Sequence, residues 1–196
     1  MEKVANVMEL LLERPDAFKV IEEAQRQLQE EQARRTQFYD NLDESVKAEF
    51  INGELVVHSP VRSRHAAVSD NVFSLIRTFA MKHKLGRATH EKVMSRFTRN
   101  DYEPDVMFFK NEKAATITPM QALFPVPDLV VEIVSNATEN RDRGVKFKDY
   151  AAHGVEEYWI VDAETQIIEQ YQLEKEIIPS SKKQTKELSM RLFCLI

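Results

Sequence analysis

The sequence predicts an α/β fold, a central β-sheet flanked by helices, preceded by an N-terminal helical extension. Three observations carry that reading. Period-two alternation surrounds an Asn-Gly pair at 52–53, a 3.6-residue apolar period runs through 63–84, and a nearly continuous apolar, β-branched run, DLVVEIVS, follows Pro127. The first marks a hairpin, the second a long core helix, and the third a strand buried on both faces.

Taken in order, residues 15–38 contain no glycine and are rich in Glu, Gln, Ala and Arg, with Pro15 suited to a first helical position. A long helix is expected. Its apolar stripe is thin, with Phe18, Ile21, Ala24 and Leu28 and then little before Phe38. That pattern fits either a solvated helix packed lightly on the domain or a dimerisation or docking arm. Residues 1–42 are therefore read as an extension and 43–196 as the domain. From Ala48, the segments AEFI and ELVVHS flank Asn52-Gly53, which supplies the two positive φ angles of a two-residue turn. Val68, Val72, Leu75, Ile76, Phe79 and Ala80 define the core helix, expected to stop at Gly86. Residues 87–98 alternate moderately, and Asp105 heads a short strand, VMFF. A short helical piece is expected near 119–123, then the buried strand 128–135, a helix over 140–152, and two strands joined by a turn at 163–165. The remaining tail is polar in its first half and is assigned no element.

At 196 residues the chain accommodates one ordinary core and an appendage. With 43% hydrophobic and 30% charged residues it has globular composition. The N-terminus lacks signal-peptide features, and no apolar run nears the roughly 20 residues that a spanning helix needs. A soluble, cytoplasmic protein is expected, with no membrane partner. The single cysteine, Cys194, excludes an internal disulfide and a cysteine-based zinc cluster. A net charge of −5 argues against a constitutive, tight nucleic-acid binder, although a metal site would raise the local positive charge. There is no Gly-rich phosphate loop, zinc-ligand spacing or nucleophile elbow.

Glu132 is the strongest anomaly, because an isolated carboxylate inside a core strand costs several kcal/mol unless it is paired or ligated. It shares a strand face with Val130 and Val134. Asp105 stands at the entry to its own apolar strand, after Pro104. If those strands are neighbours, the two acids meet, and paired carboxylates suit a hard cation such as Mg²⁺ or Mn²⁺. The alternative is that Asp105 caps its turn and Glu132 is ion-paired. Asp142, Lys146 and Tyr150 recur every four residues on one helix face. Lys146 is read as the partner of Glu132, as a cation that orients water and offsets phosphate charge, or as one member of a solvated i,i+4 pair. Glu54, beside the hairpin turn, and His65, on the core side of the long helix, are weaker candidates.

The segments FINGELV, SPVRSRH, EPDVMFF, PDLVVEIVS and DRGVKFKDYAAHGVEEYWIVD, in that order, resemble the Uma-two family of restriction endonucleases. That family belongs to the PD-(D/E)XK nuclease superfamily. The resemblance spans roughly 38–173. It implies a restriction-endonuclease-like mixed central β-sheet flanked by helices, with metal-binding acids at Asp105 and Glu132. The superfamily lysine, two residues past the second acid, is replaced here by Val134. The Uma-two pattern instead carries a lysine matching Lys146, and it includes positions matching Glu54 and His65. The implied activity is Mg²⁺- or Mn²⁺-dependent cleavage of DNA. For that activity a net-negative chain would depend on a local basic patch such as Arg62, Arg64, Arg141 and Arg143 to hold the phosphate backbone. The alternative from another class is an inactive nuclease-fold module acting through protein partners, its N-terminal helix serving for docking or homodimerisation.

Overall fold

The computed structural model describes residues 2–41, 46–175 and 188–193. The chain begins with α1 (Glu2–Leu12) and α2 (Ala17–Asp40). The stretch without glycine thus forms the expected long helix, and its N-terminal half is solvated: Phe18 and Leu28 are exposed. Its C-terminal half differs. Glu31, Arg35 and Phe38 are buried, and Arg35 grips Asp101 with two hydrogen bonds of 2.7 Å while also donating to the carbonyls of Phe97, Thr98 and Asn100. Tyr39 donates to the same aspartate at 2.8 Å. The boundary expected after residue 42 therefore falls beyond helical turns that are already joined to the domain.

β1 (Ala48–Ile51) and β2 (Glu54–Val57) form the expected hairpin, with Asn52 at φ 51° and Gly53 at φ 87°. After it come α3 (Ser63–His83), β3 (Gly86–His90), β4 (Met94–Arg96), β5 (Asp101–Tyr102) and β6 (Val106–Lys110). The stop of α3 is made by Lys84, which turns left-handed at φ 53°, two residues before the glycine expected to do so. Gly86 serves a different need: a Cβ there would lie 2.0 Å from the Phe109 carbonyl oxygen. The next elements are α4 (Asn111–Ala114), β7 (Leu123–Phe124) and β8 (Leu129–Val134). The helical piece expected near 119–123 thus lies earlier, at α4. The helix expected over 140–152 is divided into α5 (Glu139–Arg141), a π-helical turn (Asp142–Lys146) and α6 (Phe147–Ala152). β9 (Glu157–Asp162), β10 (Ile167–Lys175) and β11 (Leu188–Phe193) follow, the last within the tail to which the sequence reading assigned no element. Cys194 lies outside the described residues.

The strands form two mixed sheets rather than one, ordered β2-β1-β5-β4-β7 and β11-β10-β9-β8-β6-β3. Each is antiparallel except for one parallel pair, β4 with β7 and β8 with β9. One core cluster joins Ile51, Phe97 and Tyr102 of the smaller sheet's region to Val130, Tyr158 and Ile160 of the larger sheet and Tyr150 of α6. On the other face of the larger sheet, Val72 of α3 packs on Val106, Leu129, Val131, Ile133 and Val161. β8 is thus buried on both faces, as its nearly continuous apolar run predicted. A third cluster seats Phe38 of α2 on Ala48, Phe50 and Met94. No helix among the described residues is long and apolar enough to cross a membrane.

Candidate active site

β6 and β8 are neighbours, paired antiparallel with Val106 opposite Val131. Continuing that register by one residue sets Asp105 opposite Glu132, and the Ile133 amide donates to Asp105 Oδ2 at 2.8 Å. Because side chains alternate along a strand, Glu132 points with Val130 toward the cluster between the sheets, where α6 and the π-helical turn cover it. The stripe noted in the sequence meets it there. Lys146 Nζ lies 3.0 Å from Glu132 Oε1, and Tyr150 donates to the same oxygen at 2.8 Å.

A residue that sequence reasoning missed completes the cage. Glu49, fully buried on β1, holds Lys146 Nζ at 2.9 Å through Oε1 and His58 Nε2 at 2.9 Å through Oε2. The Glu103 amide also donates to its Oε1, at 2.9 Å. Asp142 adds a third carboxylate 3.3 Å from Lys146. The ammonium is thereby surrounded, and the Lys146 side chain is 3% exposed. Burial opposes its charge, but Glu132, Glu49 and Asp142 outweigh that and raise its pKa well above the ordinary lysine value.

Glu54, the candidate beside the turn, is not brought into this cluster. It shares its sheet face with Glu49 but sits on the edge strand β2 at the hairpin tip, and it is exposed. His65 is brought in: its Nε2 lies 3.3 Å from Asp105 Oδ1, with Lys47 Nζ 3.0 Å from the same oxygen. Among the arginines expected to form a phosphate patch, Arg62 and Arg64 are exposed at the start of α3, whereas Arg143 is engaged by Glu139 and Glu169.

The charges are unevenly balanced. Four carboxylates, of Glu49, Asp105, Glu132 and Asp142, meet two lysines, Lys47 and Lys146. Burial would raise the Glu49 carboxyl, but Lys146 and His58 hold it down at about 2. Burial is likewise outweighed at Asp105, which His65, Lys47 and the Ile133 amide keep well below the usual carboxylate range. Glu132 takes the remainder: burial, helped by Asp142, Asp105 and Glu49 and opposed by Lys146, pushes it up to about 8. Glu103, whose Oε2 is buried without a hydrogen-bond partner, is pushed up to about 7, chiefly by burial.

Among the described residues no three His, Cys, Asp or Glu side chains stand as a ready-made metal-binding group. The acids contact ammonium groups instead. The donor chemistry still suits a hard divalent cation, since the oxygens are carboxylate and the cluster holds more acid than its lysines neutralise.

Sheet order, flanking helices and a buried acid pair on adjacent strands together define a nuclease-like fold. A solved structure from Anabaena variabilis, described as a "putative nuclease belonging to DUF820", matches with a TM-score of 0.62 and 19% identity, covering 77% of this chain and 80% of that one. Residues 35–193 match the Uma2 family, described as "Putative restriction endonuclease", and the chain belongs to that family. The match begins at Arg35, the residue that ties α2 to Asp101. No curated protein matches the chain.

Proposed function

We propose that the chain hydrolyses phosphodiester bonds in DNA, using Mg²⁺ or Mn²⁺ held by Asp105 and Glu132. The observation that carries this reading is the pairing of β6 with β8, which sets buried Asp105 opposite buried Glu132, whose carboxyl is pushed up to about 8 chiefly by burial. A bound divalent cation would supply Lewis-acid charge and a water acidic enough to deprotonate near neutral pH.

The chain's own residues prepare that site. Lys146 holds Glu132 and Glu49 in fixed positions, and Tyr150 aims a hydroxyl at Glu132, so the acid cannot rotate away. His65 orients Asp105 from the face covered by α3. Arg62 and Arg64 offer phosphate-binding charge in an otherwise acidic protein.

Cleavage of supercoiled, linear and single-stranded DNA at low salt, with Mg²⁺ and with Mn²⁺, tests the reading. Wild type should nick at least one substrate, and Glu132→Gln should be inert. A wild type inert on all three would favour the second reading, a nuclease-fold binding module. That reading draws on the exposed apolar residues Val7, Leu10, Leu12 and Phe18 of the first two helices, which would dock a partner or a second copy. Sedimentation of the chain with and without α1 tests it.

A further inference from the structure

Two lysines reach the acid cluster, and they are placed very differently. An ammonium has three N–H donors. Those of Lys146 face three acceptors, Glu49 Oε1 at 2.9 Å, Glu132 Oε1 at 3.0 Å and Asp142 Oδ1 at 3.3 Å, with the side chain 3% exposed. Among the described residues its three donors are thus engaged. Lys47 is the more exposed of the two. Its side chain is 23% exposed, and its contact among the described residues is Asp105 Oδ1 at 3.0 Å. Its backbone is fixed as well: it directly precedes β1, and its carbonyl accepts the His58 amide at 2.9 Å.

We propose that Lys47, not Lys146, is the catalytic cation that touches the scissile phosphate. The assignment rests on the phosphodiesterase reading above. Asp105 Oδ1 is shared by Lys47 and His65, so it is the oxygen that Lys47 would give up were a divalent cation held by Asp105. A flexible four-carbon stem anchored at the rim then lets the released ammonium swing to a non-bridging phosphate oxygen. In hydrolysis a bond forms between the water oxygen and phosphorus, the phosphorus–ester oxygen bond breaks, and the departing oxygen takes the proton that water gives up. Lys47 contributes charge to the non-bridging oxygens and exchanges no proton. Lys146 instead positions Glu49 and Glu132.

The test is binding of a short fluorescein-labelled DNA duplex, followed by anisotropy across a salt series in Ca²⁺ and in EDTA, beside single-turnover cleavage in Mn²⁺. Two neutral replacements, Lys47→Gln and Lys47→Met, are compared with Lys47→Arg and Lys146→Met. Lys47→Gln keeps a hydrogen bond for Asp105, and whichever neutral variant melts nearer to wild type carries the comparison. It should bind the duplex about tenfold more weakly at low salt, with the slope of log affinity against log salt reduced by about one. Its cleavage should be slower by about 10²–10³. Lys47→Arg should restore most of both, and Lys146→Met should show itself first in a lower melting temperature. Wild-type affinity and slope in the neutral variant would overturn the proposal, as would a wild type that fails to bind the duplex. If wild type binds, the neutral variant does not, and Mn²⁺ produces no cleavage, the phosphate contact stands and the hydrolytic reading falls.

Discussion

Glu49, Glu132 and Asp142 converge on one ammonium, so the stability of the site depends on how a single positive charge is shared. Replacing Lys146 by Met leaves three buried acids without their cation. Breaking a buried ion pair from one side costs about 3–5 kcal/mol, and denaturant unfolding of metal-free Lys146→Met should show a loss of that order. The pH dependence follows from Glu132. Its carboxyl moves from an ordinary 4.5 to about 8 on folding. Between those values the folded chain holds a proton that the unfolded chain lacks, so stability falls as pH rises through that window. Glu132→Gln mimics the protonated acid and removes this titration. Thermal melts of metal-free protein from pH 5 to pH 8 should therefore decline less steeply for Glu132→Gln than for wild type, and equal slopes would contradict the assignment. Glu132 and Asp105 were legible because an acid inside or heading an apolar, β-branched run has no cheap explanation. Glu49 was not, because in AEFI an alternating acid looks solvent-facing. β1 is instead interior, with Phe50 packed on Phe38 and the opposite face turned toward the larger sheet. Glu54, five residues on, drew attention by its closeness to the turn, yet the edge strand leaves it in water.

At the scale of elements, α2 is a helix with two characters. Its N-terminal half carries exposed pairs such as Arg26 with Glu23 and Glu30, which water and salt screen. Its C-terminal half buries Arg35 on Asp101. Arg35→Ala should cost about 3–5 kcal/mol, whereas Arg26→Ala should leave the unfolding midpoint unchanged. Truncation follows the same division: a chain starting at Ala17 should melt cooperatively near wild type, and one starting after Asp40 should not. The sequence shows the first character, since helix propensity and sparse apolar spacing are local. It hides the second, because the partner of Arg35 lies 66 residues away. The same limit bears on β11, whose partner β10 is not identified by the short alternation of 188–192 alone. The π-helical turn escaped as well. The every-fourth spacing of Asp142, Lys146 and Tyr150 put them on one face and allowed Lys146 as the partner of Glu132, but gave no sign of the wider turn over Asp142–Lys146.

For the whole molecule, the acids gather where two sheets meet: β1 brings Glu49 from one, β8 brings Glu132 from the other, and the segment linking β5 to β6 delivers Asp105 between them. The fold class follows from patterns in the chain, but this junction depends on which strands become neighbours, and only the β6–β8 contact was foreseen. With a net charge of −5 the molecule gains nothing from long-range attraction to DNA. Duplex binding should therefore depend on the metal and on the few cations at the opening, and weaken steeply with added salt. The central claim is that Asp105 and Glu132 form a divalent-cation site, and calorimetric titration of Mn²⁺ into wild type, Asp105→Asn and Glu132→Gln tests it most directly. The account predicts saturable binding to one site in wild type and at least about tenfold weaker binding in each variant, with the fold intact by melting. Absence of binding to wild type at millimolar Mn²⁺, or equal binding by all three proteins, would contradict it.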